Sequence, residues 1–177
     1  MSSARYVIDA SHSHASFSVR HLMIFNVRGD FQKFSGEVEY DPENPEKTTV
    51  QVSLEVVSIN TRDEKRDGHL RSADFFDAES HPAMDFKSTG ARLQGGSLEV
   101  VGGLTIRGVT REVVLTVEEI TQEGKDPWGN TRIGGTAHTK VKRSDFGITW
   151  NATLDAGGVV VSDEVKIQLE VQLIKQA

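Results

Sequence analysis

Residues 165–173 read Val-Lys-Ile-Gln-Leu-Glu-Val-Gln-Leu, so apolar and polar side chains alternate without a break. Alternation with a period of two puts all the apolar side chains on one face of an extended strand. The same pattern predicts further strands in the following segments: 16–21, 34–40, 50–56, 84–86, 98–100, 113–117 and 133–141. The sequence therefore predicts an all-β protein of about eight or nine strands.

Turn-forming residues separate these strands. They lie at Asp41-Pro42-Glu43-Asn44-Pro45, Gln94-Gly95-Gly96-Ser97, 124–129 and Ala156-Gly157-Gly158. Antiparallel strands must cover one face and hide their edges, and either a sandwich or a closed barrel achieves this. Strands of about ten residues, about 33 Å long, favour a barrel. A barrel of about eight strands is either filled by side chains or holds one small ligand.

One predicted strand carries small residues on its inner face. Gly135, Ala137 and Thr139 leave space inside a barrel, which favours a cavity. The alternative is that they let a bulky neighbour such as Trp150 pack against the strand. The residues alone leave both alternatives open.

Two segments depart from the alternation. His21 to Asn26 is continuously apolar in its centre, and we expect a short helical turn there. Arg62 to Phe76 is strongly charged and ends in two phenylalanines, and we expect a helix-rich insertion capped near Thr61 or Asp63. The fold prediction is thus a β-barrel with short helical insertions.

Length and composition narrow the classes of function. A chain of 177 residues predicts a single domain spanning residues 1–177, without linkers or repeats. The formal charge of −6 argues against a nucleic-acid partner, and the absence of cysteine excludes disulfides and thiolate metal sites. Neither a signal peptide nor a membrane-spanning apolar run is present in the sequence, so we expect a cytoplasmic location.

Catalytic and metal-binding patterns are weak. The sequence has no nucleophile elbow, phosphate loop or dinucleotide fingerprint. His12 and His14 share a face of an extended strand and suggest an imidazole metal site together with His21 or His69, but a polar turn explains them better. We therefore expect no metal site and no cofactor.

Residues 66–76 read Arg-Asp-Gly-His-Leu-Arg-Ser-Ala-Asp-Phe-Phe. This is the most specific of a series of segments that span nearly the whole chain: 6–9, 12–13, 17–21, 27–31, 58–61, 66–76, 81–82, 103–110, 143–148 and 161–165. Taken in order, these segments resemble the YceI-like family, also called polyisoprenoid-binding or lipid-binding YceI-like proteins. The resemblance implies an extended, lipocalin-like, eight-stranded antiparallel barrel that holds a long isoprenoid chain. It also implies frequent homodimers, and it supplies no enzymatic reaction.

The expected ligand is an isoprenoid lipid or quinone whose tail lies inside the barrel. The expected tunnel lining consists of inward-facing apolar side chains: Phe17, Val19, Phe31, Phe34, Leu54, Val56, Phe75, Phe76, Phe86, Leu104, Ile106 and Trp150. A filled core has the same pattern. A polar head is costly to bury unpaired, so we expect it near His21, Arg66 and His69. The alternative is that Asp67 and His69 only attach the helical insertion to the barrel.

Three functions remain open from the sequence. The first is a non-catalytic protein that binds, stores or transports an isoprenoid. The second is an enzyme that acts on a small amphiphile through His21, or through His69 with Asp67. The third is a stress-linked interaction protein in which the barrel is incidental. The lack of a nucleophile motif favours the first over the second.

Overall fold

Twelve β-strands and one α-helix are present in the computed structural model, which describes residues 3–22, 24–151 and 160–177. The strands are β1 (Ala4–Ile8), β2 (His14–His21), β3 (Phe25–Phe31), β4 (Phe34–Tyr40), β5 (Thr49–Glu55), β6 (Ile59–Asn60), β7 (Ala83–Gln94), β8 (Ser97–Ile106), β9 (Val109–Glu118), β10 (Gly124–Lys125), β11 (Thr131–Lys142) and β12 (Val161–Lys175). The helix α1 (Glu64–Arg71) lies between β6 and β7.

The sheet closes on itself. Its order is β11-β9-β8-β7-β5-β4-β1-β12, and the pairing of β12 with β11 completes an antiparallel ring of eight strands. Three further strands, β2, β3 and β6, extend the wall of the barrel. β2 pairs with β12, as β1 does, β3 pairs with β2, and β6 pairs with β3. The predicted eight-stranded barrel with a short helix is confirmed, and the sandwich is excluded.

The alternation of apolar residues fixes which face of each strand is inside. Along β8, Leu98, Val100, Leu104 and Ile106 are buried, and the residues between these inward positions are half-buried. β12 follows the same rule over its length, and it pairs with β11 at eleven successive positions, from Glu164 to Ile174. The alternating residues 165–173 therefore lie in the strand that closes the barrel, β12.

The expected helical turn at His21 to Asn26 is wrong. β2 ends at His21, β3 begins at Phe25, and these two residues face each other across a hairpin. Leu22 has a φ of 54°, which turns the chain back instead of winding it into a helix. The apolar residues Ile24 and Phe25 are exposed at this hairpin, so the continuous apolar run does not reflect burial.

The predicted helical insertion is present but shorter than expected. Asp63 caps α1 by accepting a hydrogen bond from the backbone N–H of Arg66 at 3.1 Å. The helix ends at Arg71, and hydrogen-bonded turns continue to His81. The predicted break at Ala156-Gly157-Gly158 lies outside the described residues. Within the described ranges, no helix is long and apolar enough to cross a bilayer.

Candidate functional site

The barrel encloses two cavities that meet near its middle. The first, here called the helix-end chamber, has a volume of about 150 Å³ and lies towards α1. The second, the termini-end chamber, has a volume of about 100 Å³ and lies towards the two chain termini. Three residues border both chambers, namely Val52, Leu115 and Leu169, and we call this set the waist. The two chambers therefore lie end to end, one on either side of the waist.

Apolar atoms form the accessible surface of the helix-end chamber. Nine of the twelve predicted lining residues border it: Phe17, Val19, Phe31, Leu54, Phe75, Phe76, Phe86, Leu104 and Ile106. An apolar cavity of about 150 Å³ stays dry and accepts a benzene-sized group. The chamber is thus suited to hydrocarbon and offers nothing to a polar ligand.

Small residues of β11 border the termini-end chamber. Gly135 and Ala137 lie on its wall, whereas Thr139 borders the helix-end chamber. The Trp150 ring contacts the rings of His69 and Phe75, at centroid distances of 4.7 and 5.3 Å. Of the two alternatives left by the sequence, the structure has the cavity.

Three predicted lining residues border neither chamber among the described residues: Phe34, Val56 and Trp150. Phe34 begins β4 at the junction with β3 and packs, partly buried, against the core. Val56 falls after the end of β5, in a 3-10 turn whose backbone N–H donates to the carbonyl of Pro82. The alternation stops at this turn, so the side chain is buried away from the cavity. Trp150 packs behind the chamber wall.

Aromatic rings close the helix end of the barrel. Phe75 and Phe76 line the helix-end chamber. The ring of Phe76 packs edge-on against that of Phe31, with 6.0 Å between the ring centroids. Behind the wall, the His69 ring meets Phe75 edge-on at 4.9 Å. The turns that follow α1 therefore serve as an apolar plug.

A buried arginine borders the helix-end chamber, and the sequence analysis missed it. Arg143 is 8% exposed, and its guanidinium lies 5.8 Å from the centre of the Phe75 ring. Its N–H groups donate to four backbone carbonyls at 3.0–3.3 Å, those of Ile148, Trp150, Val161 and Ser162. Burial lowers the pKa of this guanidinium. Its charge thus ties the segment after β11 to the start of β12.

The three residues expected near a ligand head have partners within the protein or lie away from the chambers. Arg66 donates from Nε to Oγ1 of Thr61 and from Nη2 to its carbonyl, both at 2.8 Å. His69 Nε2 lies 2.8 Å from Oδ2 of Asp74. His21 stacks against Phe25 and has a buried Nδ1 without a hydrogen-bond partner among the described residues. The structure does not bring these side chains together in the cavity.

Asp67 has the structural role that was offered as an alternative. It is 4% exposed, and its Oδ1 accepts hydrogen bonds from the backbone N–H and the Oγ1 hydroxyl of Thr61, at 2.9 and 2.5 Å. Arg66 reaches the same threonine from the other side. This network fixes α1 to the end of β6.

Polar networks lie at the end of the barrel that carries the chain termini. Tyr6 is 2% exposed, and its hydroxyl donates to Glu123 at 2.8 Å, while burial raises the pKa of its phenol. Arg132 bridges Asp9 at 2.7 Å and Asp126 at 2.6 Å. These hydrogen bonds, with others, outweigh partial burial and lower the pKa of Asp126 to about 2. The ends of the barrel are therefore held by different means, aromatic on one side and ionic on the other.

The histidines considered as metal ligands do not converge. His12 Nδ1 lies 2.9 Å from Oδ2 of Asp9, and His14 is exposed on β2. In the portion that the structure describes, no three histidine, aspartate or glutamate side chains form a group able to hold a metal ion.

Known proteins are similar to this chain in sequence and in fold. Residues 6–173 match the family described as the YceI-like domain. A UPF0312 protein of Vibrio cholerae is 43% identical over 82% of this chain and 78% of that protein. The crystal structure of Burkholderia cenocepacia BcnA has a TM-score of 0.79 at 26% identity, over 93% of this chain and 98% of that one. A polyisoprenoid binding domain from Saccharophagus degradans, implicated in plant cell wall breakdown, has a TM-score of 0.69 at 17% identity, over 97% and 98% of the two chains.

Proposed function

Since this chain belongs to the family of YceI-like domains, we propose that its barrel binds one long apolar chain, of polyisoprenoid type, as a non-catalytic store or carrier. The S. degradans domain, which resembles this chain in fold alone, is described as polyisoprenoid-binding. The observation that carries the proposal is the pair of apolar chambers that lie end to end on either side of Val52, Leu115 and Leu169. A slender chain follows such a space, whereas a compact ligand fills one chamber at most.

The energetics require a chain of several isoprene units. Each buried methylene contributes about 0.8 kcal/mol, so a five-carbon unit contributes about 4 kcal/mol. Association costs about 4–15 kcal/mol in lost freedom. The binding free energy of one unit therefore only equals the low end of that cost. We expect a stably retained ligand to be a longer chain that passes the waist and occupies both chambers.

The chamber walls support binding over catalysis. Arg143 is the one charged residue among the described residues that border the two chambers, and its donors are engaged by backbone carbonyls. A general base must lie within hydrogen-bond reach of the proton that it takes. His21 and His69, the residues of the enzymatic alternative, border neither chamber in the described part of the chain.

Native mass spectrometry of protein purified from its source tests the proposal. We expect a bound lipid whose mass fits a series of isoprene units, and a quinone head adds a recognisable mass to it. Phe17→Arg places a charge on the wall of the helix-end chamber and is expected to abolish the bound species. Ser18→Arg, on the opposite face of the same strand, is the matched control and is expected to retain it.

Two results contradict the proposal. The first is a protein that stays empty after incubation with retinol and with solanesol. The second is equal retention by the two arginine variants, with both folded by circular dichroism.

A further inference from the structure

β9 and β11 are neighbours in the ring, but their pairing covers only a part of the two strands. β9 and β11 pair at three positions, Glu118 with Thr136, Val117 with Ala137 and Thr116 with His138. Below these, residues 109–115 of β9 and 139–142 of β11 have no pairing with each other, although both segments are fully described. β11 is paired along its other edge with β12 throughout, and β9 likewise with β8. We call this gap between β9 and β11 the seam.

A groove of about 470 Å³ lies over the seam. Four of its residues also border the helix-end chamber: Val113, Thr139, Val141 and Phe146. The same side chains thus face the outer groove and the inner cavity. These four residues lie between the groove and the chamber, in the part of the wall where no ladder hydrogen bonds join β9 and β11.

The helix end of the barrel offers no open route, because it is closed by the plug of Phe75 and Phe76 beside α1. Near the chain termini, the buried Tyr6 is bonded through its hydroxyl to Glu123. Residues 109–115 of β9 and 139–142 of β11 are not joined by a ladder, so parting the two strands there breaks no ladder hydrogen bond.

We propose that the seam is the side entrance through which the apolar chain of the ligand enters the barrel, a step that rests on the proposed function. The inner rim is formed by Val113, Val141 and Phe146, so it passes hydrocarbon. The outer rim carries three basic and three acidic residues: Arg111, Lys140, Lys142, Glu112, Asp145 and Glu164. Their charges balance, so the entrance selects the chain and leaves a polar head of either sign in water.

The absence of cysteine allows the seam to be blocked selectively. Val114→Cys and Lys140→Cys place a thiol on either rim of the groove. Gln168→Cys, an exposed position on β12 opposite His138 in the complete ladder, is the matched control. Each variant is treated with a bulky polyethylene glycol maleimide, and the uptake of all-trans-retinol is followed by stopped-flow fluorescence before and after labelling.

Labelling at either rim is expected to slow retinol uptake by about tenfold or more and to leave the control unchanged. Release is expected to slow by the same factor, so the equilibrium affinity changes little. Unchanged uptake by both labelled rim variants overturns the side entrance and leaves the proposed function standing. A dimer that dissociates on labelling while uptake stays constant makes the seam a contact between copies and overturns the entrance too. No uptake by the unlabelled protein overturns both proposals.

Discussion

Filling the termini-end chamber tests whether the ligand passes the waist. Gly135 lies on the wall of that chamber, and a Cβ added there meets the Glu118 carbonyl at 3.7 Å, an ordinary contact. A leucine at this position adds four carbon atoms, each comparable to a water molecule of about 30 Å³. Four such atoms occupy about 120 Å³, so Gly135→Leu brings enough volume to fill a chamber of about 100 Å³.

The expected loss of affinity for a long ligand chain follows from the carbon atoms that no longer fit in the termini-end chamber. One isoprene unit displaced into water costs about 4 kcal/mol at about 0.8 kcal/mol per carbon, which corresponds to about a thousandfold in affinity. Geraniol is short enough to stay in the helix-end chamber, and its affinity is expected to stay constant. The assay is displacement of bound retinol by solanesol and by geraniol, with thermal unfolding recorded beside it.

His138→Leu, on the opposite face of β11, is the control for Gly135→Leu, and it is expected to change neither affinity. Filling a cavity usually stabilises a fold, so the melting temperature of Gly135→Leu should stay equal or rise. Equal weakening of both alcohols, or unchanged solanesol binding by a folded Gly135→Leu protein, refutes a chain that extends through both chambers.

Two further predictions concern stability. Asp67→Ala leaves two buried donors without an acceptor and should lower the free energy of unfolding by about 2–3 kcal/mol in a urea titration; an unchanged midpoint contradicts the role of this network. Asp126 has a pKa of about 2 when folded against about 3.9 when unfolded, so its contribution is present above pH 4 and is lost as the pH falls through 2. The stability difference between wild type and Asp126→Asn should shrink over that interval in acid titrations, and a constant difference argues against the bridge to Arg132.

The alternation of residue types is enough to predict the barrel and the inward face of its strands. A period of two fixes the face of each side chain once the strand exists, which is why Phe17, Leu54 and Phe86 all border the helix-end chamber. The same rule fails where a strand ends or bends. Val56 continues the apolar alternation in sequence, but β5 stops at Glu55 and the backbone turns, so the residue leaves the wall.

Features that depend on contacts between distant parts of the chain could not be predicted from the sequence. Arg143 donates to the carbonyls of Ile148, Trp150, Val161 and Ser162, whereas its neighbours in the sequence are polar and give no sign of burial. The seam between β9 and β11 is likewise a property of how the ring closes, since these strands are separated by a loop and by β10.

Glycines explain how a barrel rich in phenylalanine keeps an open interior. A Cβ added to Gly29 would lie 2.6 Å from Cζ of Phe17, and one added to Gly102 would lie 2.7 Å from Cζ of Phe86, both closer than atoms approach. Each ring therefore lies against the backbone of a neighbouring strand, where a side chain would push it towards the axis. Since both rings border the helix-end chamber, the bare backbone of these two glycines lets aromatic residues form the wall without filling the space. The space inside the helix-end chamber thus depends on Gly29 and Gly102, which have no side chain to push the rings of Phe17 and Phe86 inwards.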